Sequence, residues 1–276
     1  MSGTSTVRVM SWNVNGRIGR LDEQFQAICS RNPDIVALQE ITLKTLEVFH
    51  KKFSQVGLNY VANSFDYISK ESVLIGRRHY GVLIASRWPL RRLHSFPIPW
   101  RERALSVFVH SICGKIEFHT THIPCGSLKP AEIKIETLNG IYKRLAKNPK
   151  HPRIFCGDLN TPQAEKSNGD VVTWGQHERG NEIITDDPRW DQGERSVLIG
   201  LASFDLSDVF RTLYGYQHSG FSWFVKRNGH VIRRRRFDHV FASSSLNPIK
   251  CQYINEFCKQ GLSDHSPIEV IFRPIK

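Results

Sequence analysis

The chain has 276 residues, of which 40% are hydrophobic and 11% aromatic, and a formal net charge of +12 at pH 7. This composition excludes a disordered chain, and no apolar run is long enough to span a membrane. The excess of Lys and Arg predicts attraction to polyanions, with nucleic acid as the first candidate and an anionic membrane surface or an acidic partner as the others.

Apolar runs are spread evenly from Val7 to Phe272 without a linker, which predicts a single domain over residues 1–276. Residues 1–6 carry neither the basic nor the apolar part of a secretion signal. We therefore expect an intracellular protein, cytoplasmic or nuclear, without a signal peptide. The six cysteines form no Cys-x-x-Cys pair, which predicts structural free thiols in a reducing compartment.

The first half of the chain alternates between strand and helix patterns. Strands are predicted over residues 7–12, 34–40, 60–62, 73–75, 81–85, 105–109 and 115–121. Helices are predicted over residues 21–31, 43–53 and from Pro130 to about residue 147, where Asn148-Pro149 ends the last one.

In the second half, strands are predicted over residues 153–156, 220–224, 236–241 and 268–272. Residues 163–195 are polar, contain glycine and lack periodicity, so we interpret them as a surface insertion. Strands with a few helices among them predict two packed sheets covered by helices.

Polar side chains stand at the edges of these apolar runs. They are Asn13, Glu40, His122, Asp158, Asn160, Asp238, Asp264 and His265. Loops at strand ends commonly carry functional groups on a rigid frame, so we expect these residues to face one cleft. Carboxylates, carboxamides and histidines together suit hydrolysis of a phosphate ester with a hard cation.

Glu40 ends an otherwise apolar strand, where a carboxylate is costly to bury unless a cation meets it. A divalent metal ion is the simplest partner, with Asp264 as a second oxygen ligand. Oxygen ligands favour Mg²⁺ or Mn²⁺ over zinc. Taken singly, each motif also fits a simpler structure: an Asx turn around Asp158 or Asp264, or a Glu40 that neutralises an arginine.

Four consecutive arginines precede Phe237, namely Arg233, Arg234, Arg235 and Arg236. We predict that they contact a nucleic-acid backbone at the rim of the cleft, the alternative being a solvated loop. Trp223 is a candidate for stacking on a base, although aromatic side chains on strands often belong to the core instead.

The ordered polar set from Asn13 to His265 resembles the endonuclease/exonuclease/phosphatase superfamily, which has the DNase I-like fold. The resemblance covers residues 7–272. It implies an α/β protein, a four-layer α/β sandwich of two packed mixed β-sheets flanked by helices. It also implies a Mg²⁺- or Mn²⁺-dependent hydrolase, an endonuclease or exonuclease that acts as a phosphodiesterase.

The resemblance further implies a role for each residue. Glu40 would be the metal ligand, with Asn13 and Asp264 completing or orienting its shell. Asp158 would orient or deprotonate the attacking water, and Asn160 would bind a phosphate oxygen beside it.

The two histidines complete the implied site. His265, paired with Asp238, would stabilise the transition state or transfer a proton, and His122 would contact the phosphate or the leaving oxygen. Residues 206–211 and 220–224 are most similar to the exonuclease III and abasic-site endonuclease branch. His122 stands where that branch has a tyrosine, and is similar instead to DNase I, deadenylases, tyrosyl-DNA phosphodiesterases and sphingomyelinases.

We therefore expect a monomeric, DNA-binding nuclease or nucleic-acid phosphodiesterase that uses Mg²⁺ or Mn²⁺, with DNA favoured over RNA. Two alternatives stay open. One is a phosphoesterase that acts on phospholipid or small phosphorylated molecules. The other is a nucleic-acid-binding module without catalysis.

Overall fold

The computed structural model describes residues 6–68, 74, 76–112, 114–126, 132–177, 187–228 and 230–273. The strands are β1 (Val7–Asn13), β2 (Ile35–Ile41), β3 (Tyr60–Asn63), β4 (Gly81–Ser86), β5 (Leu90–Arg92), β6 (Ala104–Ser111), β7 (Gly114–His122), β8 (Arg153–Asp158), β9 (Ala164–Glu165), β10 (Val171–Val172), β11 (Ser207–Asp208), β12 (Trp223–Arg227), β13 (His230–Arg235), β14 (Asp238–Ala242), β15 (Pro248–Tyr253) and β16 (Ile268–Phe272).

The α-helices are α1 (Leu21–Arg31), α2 (Leu43–Ser54), α3 (Glu132–Leu145), α4 (Arg189–Leu198), α5 (Val209–Tyr214) and α6 (Asn255–Lys259). Short 3₁₀ helices cover Ile18–Arg20, Ser64–Tyr67, Gly76–His79, Arg101–Arg103, Gly200–Phe204 and Ser244–Leu246. Within the described ranges, none of these helices combines the length and the apolar character needed to cross a bilayer.

Two mixed sheets of six strands each form the centre of the molecule. The first has the strand order β15-β16-β1-β2-β4-β3, and the second β11-β14-β8-β7-β6-β5. In each sheet one central pair is parallel, β1 with β2 and β7 with β8. Separate two-stranded ribbons, β9 with β10 and β12 with β13, extend from this core.

Three hydrophobic layers hold four layers of secondary structure together. Between the sheets lie residues such as Val9, Phe118 and Val270. The outer face of the first sheet is covered by α1 and α2, where Phe25, Phe49 and Phe53 meet Trp12 and Leu38. The outer face of the second sheet is covered by α3 and α4, where Leu138, Ile141 and Val197 meet Phe155 and Phe241. The fold is thus the four-layer α/β sandwich that the sequence predicts.

The first two helices begin and end where local sequence dictates. Asn32 follows α1 in the left-handed conformation, with φ of 47°, which closes the helix before Pro33. Thr42 and Thr45 cap α2 reciprocally, because each side chain accepts a hydrogen bond from the other residue's backbone N–H. Both boundaries lie within one residue of the prediction.

The second half of the chain differs more from its sequence pattern. Residues 163–195 are not merely a surface insertion, because their last residues begin α4, where Glu194 is buried and pairs with Lys134 of α3. The strand predicted over 236–241 begins only at Asp238, as β14, because Arg236 and Phe237 lie between β13 and β14. The strand predicted over 220–224 begins at Trp223. The predicted strand at 73–75, the start of the helix at Pro130 and residues 178–186 lie outside the described residues. Cys156, Cys251 and Cys258 are buried.

Candidate active site

The register of the second sheet brings three functional residues side by side. Asp158, the last residue of β8, lies opposite His122 at the end of β7 and opposite Asp238 at the start of β14. Gly157 makes this possible: its φ is 137°, and a Cβ there would lie 2.0 Å from the carbonyl oxygen of Thr121. Only glycine allows the backbone to pass so close just before the carboxylate of Asp158.

Glu40 reaches the same place from the first sheet. The pairing of β2 with β4 shifts its register between Gln39 and Ile41, and Glu40 within this bulge has a φ of 56°. Left-handed backbone is uncommon for a residue with a side chain, and such strain clusters at functional sites. The bulge turns the Glu40 carboxylate towards the end of β1.

Asn13 links the two sheets. Its Nδ2 donates to Glu40 Oε1 at 3.1 Å and to Asp158 Oδ2 at 2.9 Å. Its Oδ1 accepts from the backbone N–H of Asn15 at 2.9 Å. The amide NH2 group of Asn13, rather than its amide oxygen, therefore faces the two carboxylates.

A divalent cation fits the chemistry of this donor set. One ligand atom each from Glu40, His122 and Asp158 lies within 4.8 Å of the other two. Two carboxylates that share one amide donor in a buried position repel each other unless a cation lies between them.

Asp264, the second predicted ligand, is exposed at the rim of the same cleft. Its Oδ1 accepts a hydrogen bond from Asn15 Nδ2 at 2.7 Å. Among the described residues it is not part of the group formed by Glu40, His122 and Asp158. It thus flanks the predicted metal shell from the β1 side.

His265 and Asp238 form the predicted pair. His265 Nδ1 lies 2.7 Å from Asp238 Oδ2, and its Nε2 lies 3.7 Å from Asp158 Oδ2. Trp12 fixes the backbone of this histidine, because the indole N–H donates to its carbonyl oxygen at 2.9 Å. Burial opposes the charged imidazole, but the carboxylates of Asp238 and Asp158 outweigh it and raise the pKa of His265 to about 10.

Asp158 is buried, and its pKa depends on this burial, on neighbouring charged groups and on hydrogen bonds. Burial is the main cause that raises its pKa to about 7, and Asp238 adds to it while His265 opposes it. Its Oδ1 accepts from the backbone N–H of Asn160 at 2.9 Å. Asn160 lies beside it with φ of 51°, and its own Nδ2 donates to the carbonyl oxygen of Ile123 at 2.9 Å. A carboxylate with a pKa near neutrality suits proton transfer at physiological pH.

His122 is neutral in this environment. Burial lowers its pKa well below the ordinary value, and the cations of Arg103 and His265 lower it further. Its Nε2 lies 3.4 Å from Glu40 Oε1, while its Nδ1 contacts the guanidinium of Arg103. A neutral imidazole between a guanidinium and a carboxylate donates from one nitrogen and accepts at the other.

Arg103 is a functional candidate that the sequence patterns did not single out. It is buried, lines the cleft, and lies over the rings of Tyr80 and Trp100 at 5.7 and 5.6 Å. The only sequence signal was a cation placed directly before the buried strand β6. Sequence patterns alone could not show that this arginine meets His122.

These residues line one cleft of about 810 Å³. Its polar side is formed by Glu40, His122, Asp158 and His265, and its apolar side by four aromatic residues, Trp174, Trp190, Trp223 and Phe237. The predicted stacking residue Trp223 is therefore at the cleft, and its backbone forms a bridge with His265.

The prediction of nucleic-acid contact is wrong for Arg236. This residue is 5% exposed, and its guanidinium pairs with Glu165 at 2.6 Å and with Asp208 at 2.8 Å. Arg235 is also buried, lies over the ring of Trp174 at 4.5 Å and donates to the carbonyl oxygen of Gln163. Both arginines are bound within the fold because the end of β13 turns inwards, where a carboxylate or a ring offers compensation for the buried charge.

Arg233 and Arg234, by contrast, are exposed on β13. Their strand pairs with β12, whose Trp223 lines the cleft. Arg233 and Arg234 thus lie on a strand next to the cleft. Their contact with a nucleic-acid backbone stays a prediction.

Replacing Arg236 with Met is expected to lower the free energy of unfolding at pH 7 by about 3 kcal/mol, because the carboxylates of Glu165 and Asp208 lose the cation that they share. Burial would raise the pKa of Glu165, but Arg236 and Arg211 lower it to about 2. A carboxyl whose folded pKa is depressed stabilises the fold above its ordinary pKa of 4.5, and this contribution is lost as pH falls towards 2. The deficit of Arg236→Met should therefore shrink over that window.

Urea unfolding between pH 7 and pH 3 measures this effect. Arg234→Met is the matched control, since Arg234 is exposed, and it should change the free energy of unfolding by less than about 0.5 kcal/mol. Equal stability of both variants would show that the Arg236 ion pairs are dispensable.

Two packed sheets with a carboxylate, amide and histidine cluster at one edge define the α/β sandwich class of hydrolases. The chain belongs to the endonuclease/exonuclease/phosphatase family, whose family model matches residues 10–265. This confirms the family that the sequence motifs predict and its DNase I-like fold. The prediction of an enzyme that hydrolyses phosphate esters is confirmed as well.

Individual relatives cover nearly the whole chain. Exodeoxyribonuclease III of Haemophilus influenzae is 25% identical over 97% of this chain and 100% of its own length. The structure of an AP endonuclease from Archaeoglobus fulgidus superimposes with a TM-score of 0.72 at 18% identity, covering 96% of this chain and 99% of that one. A D. rerio TDP2 complexed with single-strand DNA product has a TM-score of 0.64 at 20% identity, covering 97% and 99%.

Proposed function

We propose that the chain is a Mg²⁺- or Mn²⁺-dependent phosphodiesterase that hydrolyses DNA as a monomer. The observation that carries this proposal is the junction at Asn13, where Glu40 of one sheet and Asp158 of the other are joined by one amide group. His265 stands 3.7 Å from the same Asp158 oxygen, so acid, base and cation ligands share one small volume.

The attacking water is placed by Asp158. The backbone N–H of Asn160 and the amide of Asn13 hold its two oxygens. These hydrogen bonds fix the carboxylate, which lines the cleft. Asp158 accepts a proton from the water as the water attacks phosphorus.

Positive charge on two side chains supports the phosphate as negative charge grows on its oxygens. His265 carries a proton because Asp238 holds its Nδ1, and Arg103 lies beside His122 at the wall of the cleft. Donors fixed in advance at the place where charge develops make a large contribution to catalysis. Asp238 binds Nδ1 of His265, so the proton that the leaving oxygen can take is the one on the other ring nitrogen, Nε2.

Glu40 would hold the metal ion, together with Asp158 or with Asp264 from the rim. When bound, a divalent ion polarises a phosphoryl oxygen and stabilises an alkoxide leaving group. Asn13 would help to hold the two carboxylates in place, because its Nδ2 donates to both.

The known activities or ligands of three similar proteins support DNA as the substrate. One is an exodeoxyribonuclease, another an AP endonuclease, and a third is complexed with single-strand DNA. The charge of +12 favours a polyanion in the same way. A phospholipid or small-molecule substrate has no such support, and the intact set of carboxylates and histidines disfavours a module without catalysis.

A substrate panel with purified protein tests the proposal. Duplex DNA, single-stranded DNA, RNA and sphingomyelin are each incubated with Mg²⁺, with Mn²⁺ and with EDTA. We expect hydrolysis of DNA that EDTA abolishes. Hydrolysis of sphingomyelin alone, or of nothing under any condition, would reject a DNA phosphodiesterase.

The rate of hydrolysis should depend on pH as a bell. Asp158, with a pKa raised to about 7, must be deprotonated, so the rate rises with pH through this region. A bound cation favours the carboxylate, which places this limb at or below pH 7. His265 must be protonated, so the rate falls near pH 10. Because Asp158 and His265 interact, the two apparent pKa values of the profile belong to the pair and not to either residue alone. A rate that keeps rising from pH 9 to pH 11 would contradict the role of His265.

A further inference from the structure

Two indole rings, those of Trp174 and Trp190, line the cleft on the side of the second sheet. We propose that they form a stacking wall for an unpaired nucleobase next to the scissile phosphate, so that the enzyme selects single-stranded or unpaired DNA over intact duplex. This inference rests on the proposed function. It assigns a binding role to residues 174 and 190 within the polar stretch 163–195.

The polar edge of each indole is already used by the protein. Trp174 Nε1 donates to the carbonyl oxygen of Asn160 at 3.0 Å, and Trp190 Nε1 donates to Glu194 Oε1 at 3.0 Å. Arg235 lies over one face of the Trp174 ring at 4.5 Å, and Lys134 lies over one face of the Trp190 ring at 5.7 Å. What each ring can offer to a ligand is therefore its other face. Both residues are only partly buried, so part of that surface is accessible from the cleft.

A buried ion pair between Lys134 and Glu194 fixes the position of both rings. Lys134 Nζ donates to the carbonyl oxygen of Asn160 at 3.0 Å and pairs with Glu194 at 2.7 Å, and both charged side chains are at most 1% exposed. The same Glu194 accepts from the backbone N–H of Trp174 at 3.0 Å. One buried ion pair thus ties both indoles to Asn160, the residue beside Asp158.

Gly126 seats Trp190 against the segment that follows β7. A Cβ at this glycine would lie 2.2 Å from Trp190 Cζ2, so any other residue would displace the ring. This segment directly follows His122, and His122, Gly126 and Trp190 line the same cleft. A ring held there is a rigid platform rather than a mobile side chain.

The chemistry of the wall fits a base attached to a phosphate. Trp223 and Phe237 continue it, with ring centroids 5.4 Å apart, and Phe237 lies 6.5 Å from Trp174. Aromatic side chains stack on bases without regard to sequence because every base has a π face. Arg103 and His265 add the positive charge that the attached phosphate requires. In an intact duplex both faces of a base are covered by its neighbours, so only an unpaired base can use this wall.

Binding of three fluorescent phosphorothioate probes to the full chain in Mg²⁺ tests the inference by anisotropy. The probes are an oligothymidine of about 12 nucleotides, the duplex of this strand, and a strand of equal length whose units lack bases. We expect the oligothymidine to bind about tenfold more tightly than the abasic strand, and more tightly than the duplex.

Two substitutions separate stacking from structure. Trp190→Leu should weaken binding of the oligothymidine about tenfold and leave the abasic strand unchanged, whereas Trp190→Phe keeps a ring and should stay within about threefold of wild type. Trp88→Phe is the control, because Trp88 packs on the core between the sheets. If Trp190 served only through its hydrogen bond to Glu194, Trp190→Leu and Trp190→Phe would lose the same amount of oligothymidine affinity.

Equal affinity for the three probes, or an equal loss in Trp190→Phe and Trp190→Leu, would overturn the inference. These outcomes are separate from the substrate panel, because duplex DNA can still be hydrolysed when base stacking is absent. A chain that hydrolyses no DNA but binds as expected would reject the proposed function and retain the stacking wall.

Discussion

Asp158→Asn is expected to lower the rate of DNA hydrolysis about 10³-fold at pH 8, because the base that takes the proton of water is removed. The substitution keeps the shape of the side chain. The backbone N–H of Asn160 can still donate to the remaining carbonyl oxygen, so the loop stays in place. The loss should appear in kcat, with little change in KM.

Stability should move in the opposite direction. The folded pKa of Asp158, about 7, lies above its ordinary value of 3.8, so ionisation of this carboxyl destabilises the metal-free fold as pH rises above 3.8. Asp158→Asn removes that charge, and its melting temperature without metal at pH 8 should equal or exceed that of wild type. Asp170→Asn, at an exposed position, is the control and should retain full activity. Wild-type rates in Asp158→Asn would refute its role.

Asp238→Asn is the second substitution with a large expected effect. Asp238 is buried, and its Oδ2 holds His265 Nδ1 at 2.7 Å. Without this carboxylate the pKa of His265 falls, since burial then prevails over the remaining attraction of Asp158. We expect kcat to fall about 10²-fold to 10³-fold, as for loss of one fixed donor to the transition state.

The pH profile distinguishes this effect from a general disturbance. In Asp238→Asn the alkaline limb of the bell should move to lower pH, together with the NMR titration of His265. Glu117→Gln is a matched control, because Glu117 and His119 form another carboxylate–histidine pair on β7, at 3.5 Å. Its profile should match wild type. An unchanged alkaline limb in Asp238→Asn would show that Asp238 does not set the charge of His265.

The order of polar residues along the chain predicted most of the site. Each stands at the end of a short apolar run, and such runs become buried strands of a sandwich, so their ends meet at one edge. The pair of Asp238 with His265 and the approach of Glu40 to Asp158 follow from that geometry. The long, periodic helices α1 and α2 were predictable for the same reason, because their apolar spacing and end signals agree.

Long-range partners were not predictable from sequence. Arg236 pairs with Glu165, 71 positions away, so a run of four arginines could not reveal which members turn inwards. The buried face of α4 carries the charged residue Glu194, which Lys134 of α3 neutralises. Arg103 reaches His122 only through the pairing of β6 with β7. In each case a charge is compensated by tertiary structure, which periodicity does not record.

Titration of the protein with Mn²⁺, followed by electron paramagnetic resonance, tests most directly whether residues of both sheets meet around one cation. Wild type should bind one ion per chain, and Glu40→Gln should weaken that binding at least tenfold, while Glu47→Gln, at an exposed position on α2, should not. Equal Mn²⁺ affinity in wild type and Glu40→Gln would contradict the account.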